Sequence, residues 1–253
     1  MGSMIAQTGT RKTKNPKDLT RNKNFMQEID TPEKKDLTML AFNGIKNLMF
    51  RNEITQDLRL NARELAKRLD MSPTPVIQAL KLLHFQGILG HIPNKGYFIE
   101  TNTPEMVRDI FNLRIALEAA SLNTILGRIN RDGWQKLEKA LNTHLEALDK
   151  NSPKLILLAD MAFHITLAQI STGPAGERLM RNLFEMLYLK NRSVVLYLSP
   201  KKQFGFHHKD ILDLLQKKDI KAAQTALGNH IRKVRDAVIT SMEEDEQELK
   251  LDW

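Results

Sequence analysis

Four residues in the second half of the chain have the types and spacing of a metal-binding site: Asp160, His164, His208 and His230. Asp160 and His164 are four residues apart, so they share one face of a helix. All four lie in line with apolar residues at helical spacing, which predicts side chains that point into a core. These apolar residues are Leu157, Leu167, Ala168, Ile211, Leu212, Leu215, Ala223, Ala226, Leu227 and Val234. Burying a carboxylate and three imidazoles without partners is costly, and a divalent cation such as Zn, Ni, Mn or Fe(II) would satisfy them all.

Two other interpretations of these residues stay open. A single inward-facing His is more often a hydrogen-bonded core residue than a ligand, so the chain could be a helical bundle that binds no metal. A metal-dependent enzyme could also use the cluster, but hydrolytic zinc sites keep an open coordination position and a separate general base. We see no second carboxylate at helical spacing from the cluster, so we expect no enzyme. We also place the remaining histidines outside it: His84, His91, His144 and His207.

The elements that would position the cluster are all helices. The periodicity predicts six of them, at about 104–127, 131–149, 153–172, 176–198, 205–217 and 219–247. No strand pattern, phosphate-binding glycine loop, GxSxG, HExxH or Walker sequence occurs among them. We therefore predict an all-α bundle over residues 105–247, preceded by a linker at 101–104 and followed by a short tail at 248–253.

The first half of the chain predicts three helices. Apolar residues recur at helical spacing over residues 32–50. In "NARELAKRLD", Asn61 and Glu64 have the spacing of a capping box at the start of a second helix. Thr74 and Pro75 look like the N-cap and first residue of a third helix, which continues until Gly87.

A β-hairpin follows these helices. "ILGHIPNKGYFIE" alternates around Asn94, Lys95 and Gly96, which supply turn chemistry. Three helices and a hairpin form a winged helix-turn-helix, which we assign to residues 31–100. The predicted fold is thus mostly α, with a small β-hairpin wing and a helical bundle.

Charge supports a nucleic-acid partner. The chain carries a formal net charge of +8, and residues 1–100 hold 16 Lys and Arg against 10 Asp and Glu. Residues 1–24 alone contain six basic residues and one acidic residue. We predict a flexible basic arm over residues 1–30, which could contact phosphates.

Composition favours a cytoplasmic location. The chain contains no cysteine, which fits a reducing compartment. No uninterrupted apolar run approaches the roughly 18 residues of a membrane span, so we expect no membrane partner.

The winged region resembles the GntR family of bacterial regulators. The resemblance extends from "ARELAKRLDMS" through "TPVIQALKLLHFQGIL" to "PNKGYFIE". It implies a third helix that reads operator DNA, yet Pro73 and Ile77 occupy positions where family members usually carry arginine. Gln78 replaces the usual glutamate.

The remaining candidates for DNA contact on the third helix are Ser72, Thr74, Gln78 and Lys81, with Lys95 in the wing. Hydroxyl groups and a helix N-terminus can bind phosphates, and Gln can pair with adenine in the major groove. We expect the arm and Lys95 to supply the missing charge.

The second half resembles the FCD effector domain of the FadR-type branch of this family, over about residues 105–240. The resemblance rests on Asp160, His164, His208 and His230 in their observed spacing. It implies a Zn, Ni or Mn ion, a small carboxylate effector and a homodimer. The segment "FNLRIALE" also matches, which makes Arg114 a candidate effector contact. The resulting expectation is a ligand-responsive regulator that binds double-stranded operator DNA.

Overall fold

The computed structural model describes residues 36–54, 59–190 and 203–251, and the basic arm predicted over residues 1–30 lies outside these ranges. The described chain is mostly helical, with one small sheet in its first half, which confirms the predicted fold class.

The first half contains three helices and three short strands. The helices are α1 (Leu37–Phe50), α2 (Ala62–Arg68) and α3 (Pro73–Phe85). The strands are β1 (Arg59–Leu60), β2 (Gly90–Ile92) and β3 (Gly96–Phe98), paired antiparallel in the order β1-β3-β2. The predicted hairpin is β2–β3, and Asn94 and Gly96 adopt the positive φ angles that its turn requires. Strand β1 was not predicted, because two residues are too few to establish an alternating pattern.

Helix α3 begins earlier than its sequence predicts. Its N-cap is Ser72 and its first residue is Pro73, so the assignment of Thr74 as N-cap is wrong. Proline is tolerated throughout the first turn, where no intrahelical N–H bond is made, so both Pro73 and Pro75 fit inside the helix. At α2 the predicted N-cap is confirmed, because the Asn61 side chain accepts hydrogen bonds from the backbone N–H groups of Arg63 and Glu64.

The second half is a bundle of six described helices. They are α4 (Pro104–Arg128), α5 (Arg131–Asp149), α6 (Pro153–Thr172), α7 (Pro174–Tyr188), α8 (Gln203–Gln216) and α9 (Ile220–Leu251). Helix α7 differs most from its predicted range of 176–198. Gly173 ends α6 at a φ of 72° and Pro174 starts α7 at once, while Leu189 and Lys190 already form a turn. Residues 191–202 lie outside the described ranges.

Each half has its own hydrophobic core. The core of the winged domain is built around Ala41, Ile45, Val76 and Leu83, and that of the bundle includes Phe111, Phe163 and Phe184. Burial of these apolar side chains supplies the main driving force for folding.

Helix α6 is the most apolar element of the bundle. By length and composition it could cross a membrane, since an 18-residue stretch has a mean hydropathy of 1.5. Its apolar runs are nevertheless short, because polar residues such as Asp160 and His164 interrupt them. Half of that stretch is buried inside the protein, which is the environment of a core helix.

Candidate metal centre and DNA-binding surface

The four predicted ligands meet inside the bundle. Asp160 and His164 project from α6, His208 from α8 and His230 from α9, and all four are buried. These three helices pack through apolar faces, and this packing fixes the positions of the ligands. It brings together residues that are up to 70 positions apart in the sequence.

Four atoms face a common centre: Asp160 Oδ1 and the Nε2 atoms of His164, His208 and His230. The oxygen lies 3.7, 3.4 and 3.6 Å from these three nitrogens, in that order. The nitrogens are separated by 3.0 Å between His208 and His230, and by 3.3 Å for each of the other two pairs. The separations from Asp160 are too long for good N–H···O hydrogen bonds.

These separations fit a cation between the ligands. Four ligands at about 2.1 Å from a tetrahedral ion stand about 3.4 Å apart. Four ligands in an octahedral shell include at least one opposite pair, about 4.2 Å apart. The longest separation here is 3.7 Å, so the arrangement matches a tetrahedral N3O set, which suits Zn better than Mn.

A buried carboxylate, Glu118 on α4, stands behind the cluster. Its Oε2 accepts a hydrogen bond from His164 Nδ1, and its Oε1 accepts one from Arg114 Nε at 3.0 Å. This arrangement leaves His164 Nε2 facing the centre, as in the carboxylate–histidine pairs of metal sites. Sequence analysis missed Glu118, although an Arg–Glu pair four residues apart in an apolar helix was a usable signal.

Arg114, the predicted effector contact, is buried beside Glu118. Its guanidinium lies over the ring of Phe184, 4.1 Å from the centroid, and 5.3 Å from the centroid of Phe111. Glu118 forms an ion pair with Arg114 and a hydrogen bond with His164. Because both of its oxygens are engaged, Glu118 orients His164 and is not free to act as a general base.

The four clustered side chains differ in their tendency to carry charge. Burial opposes the charged form of His164, but the carboxylates of Glu118 and Asp160 outweigh burial and raise its pKa to about 9. Burial, reinforced by the neighbouring imidazoles, lowers the pKa of His208 well below its ordinary value. Burial also lowers the pKa of His230, to about 4. Burial would raise the pKa of Asp160, but the charge of His164 and the nearby imidazoles of His208 and His230 hold it well below its ordinary value.

The expectation that His144 lies away from the cluster is wrong. Its ring is buried on α5, and its Nδ1 lies 2.7 Å from Nδ1 of His208. Phe163 stacks on the His208 ring, with centroids 4.3 Å apart. The pattern on α5 could not reveal this contact, because His208 belongs to a helix 64 residues further along the chain.

The predicted DNA-contacting residues are exposed in the winged domain. Ser72, Thr74, Gln78 and Lys81 lie along the N-terminal half and middle of α3, and Lys95 lies in the turn of the wing. The Ser72 side chain makes no capping hydrogen bond, so its hydroxyl is not used to start the helix.

Comparison with known proteins agrees with this architecture. The FCD domain family matches residues 109–233, a range that contains all four ligands. An HTH-type transcriptional regulator from the TAR-I ttuE-ttuC' intergenic region of Agrobacterium vitis is 30% identical over 130 residues, 50% of this chain and 76% of that protein. The HTH-type transcriptional repressor RspR of Escherichia coli is 24% identical over 179 residues, 71% of this chain and 78% of that protein.

A solved structure shares the fold. The transcriptional regulator GntR from Rhodococcus sp. RHA1 superposes with a TM-score of 0.68 at 18% identity, over 80% of this chain and 97% of that one. This chain belongs to the GntR family of transcriptional regulators, in the branch with an FCD domain. Its curated relatives are transcriptional regulators and not enzymes.

In this GntR-family chain, a concave surface of the winged domain contains two cations that sequence analysis missed. Arg59 of β1 and Arg63 of α2 line it together with Pro73, Ile77 and Tyr97. Both arginines are exposed. Pro73 and Ile77 stand where family members usually carry arginine. Strand β1 and helix α2 therefore supply arginines to the same concave surface.

A small cleft of the FCD domain opens next to Glu118. It has a volume of about 170 Å³ and is mostly apolar, with Ser121, Thr172 and Met180 in its lining. Its position places Glu118 between the cleft and His164.

Proposed function

We propose that this GntR-family regulator binds operator DNA as a cytoplasmic homodimer, and that a small carboxylate metabolite and a divalent metal ion in the FCD domain modulate its DNA affinity. In this proposal residues 31–100 bind DNA, and residues 105–247 bind the effector and the partner subunit. The observation that carries the regulatory part is the set of six short separations among the four ligand atoms.

Asp160, His164, His208 and His230 would hold the ion, with zinc as the first choice. When bound, the cation supplies positive charge that offsets the buried carboxylates and cross-links three helices. The residues of the chain prepare the site: Asp160 is ionised, while the lowered pKa values of His208 and His230 keep both rings neutral near pH 7.

The effector assignment rests on charge and space. A small carboxylate would find Arg114 and, without coordinating it, the cation as its positive partners, and the cleft beside Glu118 has room for a molecule of a few heavy atoms. The effector carboxylate must bind near Arg114 without breaking the Arg114–Glu118 ion pair, or it must replace Glu118 as the partner of Arg114.

A homodimer is supported by an apolar surface on α4. Leu113 and Leu117 are 53% and 41% exposed, and their spacing of four residues places them on one face of the helix. Contiguous exposed apolar surface marks an interaction site. Leu113→Glu should therefore shift the protein towards monomer in sedimentation, whereas Leu155→Glu, at a comparably exposed leucine of α6, should not.

The function is tested by titrating DNA from upstream of its own operon with zinc-loaded and chelator-treated protein, alone and with a panel of small carboxylates. We expect sequence-preferring binding whose affinity changes with zinc and with at least one carboxylate. A folded protein that binds this DNA no better than random DNA in every state would overturn DNA regulation. Binding that ignores both metal and carboxylates would overturn the regulatory part alone.

A further inference from the structure

His144 and His208 form a buried pair of imidazoles joined nitrogen to nitrogen. Their Nδ1 atoms are 2.7 Å apart, and both side chains are essentially inaccessible to solvent. A contact this short between two ring nitrogens requires one proton between them, so one ring donates and the other accepts.

The direction of that hydrogen bond decides whether His208 can bind a cation. If neutral His144 donates from Nδ1, neutral His208 must carry its own proton on Nε2, the atom that faces Asp160 and His230. A protonated Nε2 has no lone pair for a metal ion. If His208 donates from Nδ1 instead, its Nε2 lone pair faces the centre.

We propose that His144 is a positioning residue for the metal centre: it accepts the Nδ1–H of His208 and so keeps His208 in the tautomer that binds the cation. This inference rests on the proposed metal site and adds a fifth residue to it. His144 itself would then carry its proton on Nε2, which has no hydrogen-bond partner among the described residues.

The ligand set shows why such a partner is needed. His164 is oriented at Nδ1 by Glu118, and His208 by His144. The Nδ1 atom of the third imidazole, His230, is buried without a hydrogen-bond partner among the described residues. Two of the three rings are therefore held in place by a neighbour, one through a carboxylate and one through a histidine.

Two variants separate orientation from packing. His144→Phe keeps a planar ring but removes the acceptor, whereas His144→Asn can offer its side-chain oxygen near the position of Nδ1. Zinc affinity is measured by competition with a chromophoric chelator, and folding by thermal denaturation. We expect His144→Phe to weaken zinc binding about 10–100-fold, as loss of an outer partner does in other metal sites, and His144→Asn to restore most of it. His91→Phe, in the exposed wing, should leave zinc affinity unchanged.

Nitrogen-15 NMR of the histidine rings provides a second readout that packing alone would not change. In the zinc-loaded wild type, the proton should lie on Nδ1 of His208 and on Nε2 of His144. The opposite assignment for His144 would overturn the proposal, even if His144→Phe does not fold. Equal zinc affinity in the wild type, His144→Phe and His144→Asn would also overturn it while leaving the metal site intact. A wild type that binds no zinc would instead refute the metal site itself.

Discussion

Lys46 of α1 and Glu185 of α7 form an ion pair that connects the winged domain to the FCD domain. The two residues that flank Glu185 contact different parts of the protein. Phe184 lies against the guanidinium of Arg114 beside the metal centre, and the carbonyl of Met186 accepts a hydrogen bond from Asn102 at 2.8 Å. One turn of α7 therefore touches both the surroundings of the ligand cluster and the winged half of the chain.

This relationship predicts that Glu185→Gln uncouples the two sites. The variant keeps the shape of the side chain but removes the ion pair, so zinc affinity should be unchanged. The change in operator affinity on adding zinc should shrink by about 0.5–2 kcal/mol, the range over which single residues modulate coupling. Lys209→Gln, which removes an exposed ion pair with Asp213 on α8, serves as the control. A zinc response that is the same in Glu185→Gln and in the wild type would contradict a role for this contact.

The concave surface of the winged domain predicts which cations contact DNA. Arg59→Ala and Arg63→Ala should weaken binding to all sequences alike. Each should also flatten the slope of log affinity against log salt concentration by about 0.9, the value for one lost phosphate contact. Lys67→Ala, on the same helix as Arg63, is the matched control. Salt slopes that equal that of the wild type would exclude phosphate contacts at these arginines.

Gln78 is the strongest candidate for reading a base, because it is exposed on α3 and its amide can pair with adenine. Gln78→Ala should cost about 1–3 kcal/mol on the true operator and relax the preference at one base pair. The measurement is a comparison of the operator with single-base variants at constant salt. If Gln78→Ala discriminates these variants as the wild type does, DNA shape or the wing must carry the specificity.

The ligand cluster shows what could be predicted from the sequence and what could not. Asp160 and His164 are recognisable because both lie on one apolar helix face, and a local pattern is enough to place them there. His144 escaped because its partner lies 64 residues away, on a helix whose packing no local pattern describes. The spacing of Arg114 and Glu118 was a local signal for a buried ion pair, but it could not reveal the contact of Glu118 with His164, 46 residues away. The start of α3 was misplaced for a local reason, since Pro73 and Pro75 both suit a first helical turn.

A cation bound by the proposed ligands must displace a proton. With a pKa of about 9, His164 carries protons on both ring nitrogens near pH 7.5, and Nε2 is the atom that the ion would bind. His208 and His230 are already neutral at that pH, because burial lowers both of their pKa values. Zinc binding at pH 7.5 should therefore release about one proton per chain, and apparent affinity should fall about tenfold for each pH unit from 9 down to 7.

Calorimetry in buffers of different ionisation enthalpy measures this proton release. Glu118→Gln removes one of the carboxylates that raise the pKa of His164, so its release at pH 7.5 should fall clearly below that of the wild type. The free energy of unfolding should also change with pH as His164 titrates. Because the folded pKa of His164 lies above its unfolded value, its contribution to the metal-free protein is complete below pH about 6.5 and is lost as the pH rises through about 9. The difference in melting temperature between zinc-loaded and chelator-treated protein should thus grow over that interval. A constant difference together with no proton release would show that zinc displaces no proton from His164.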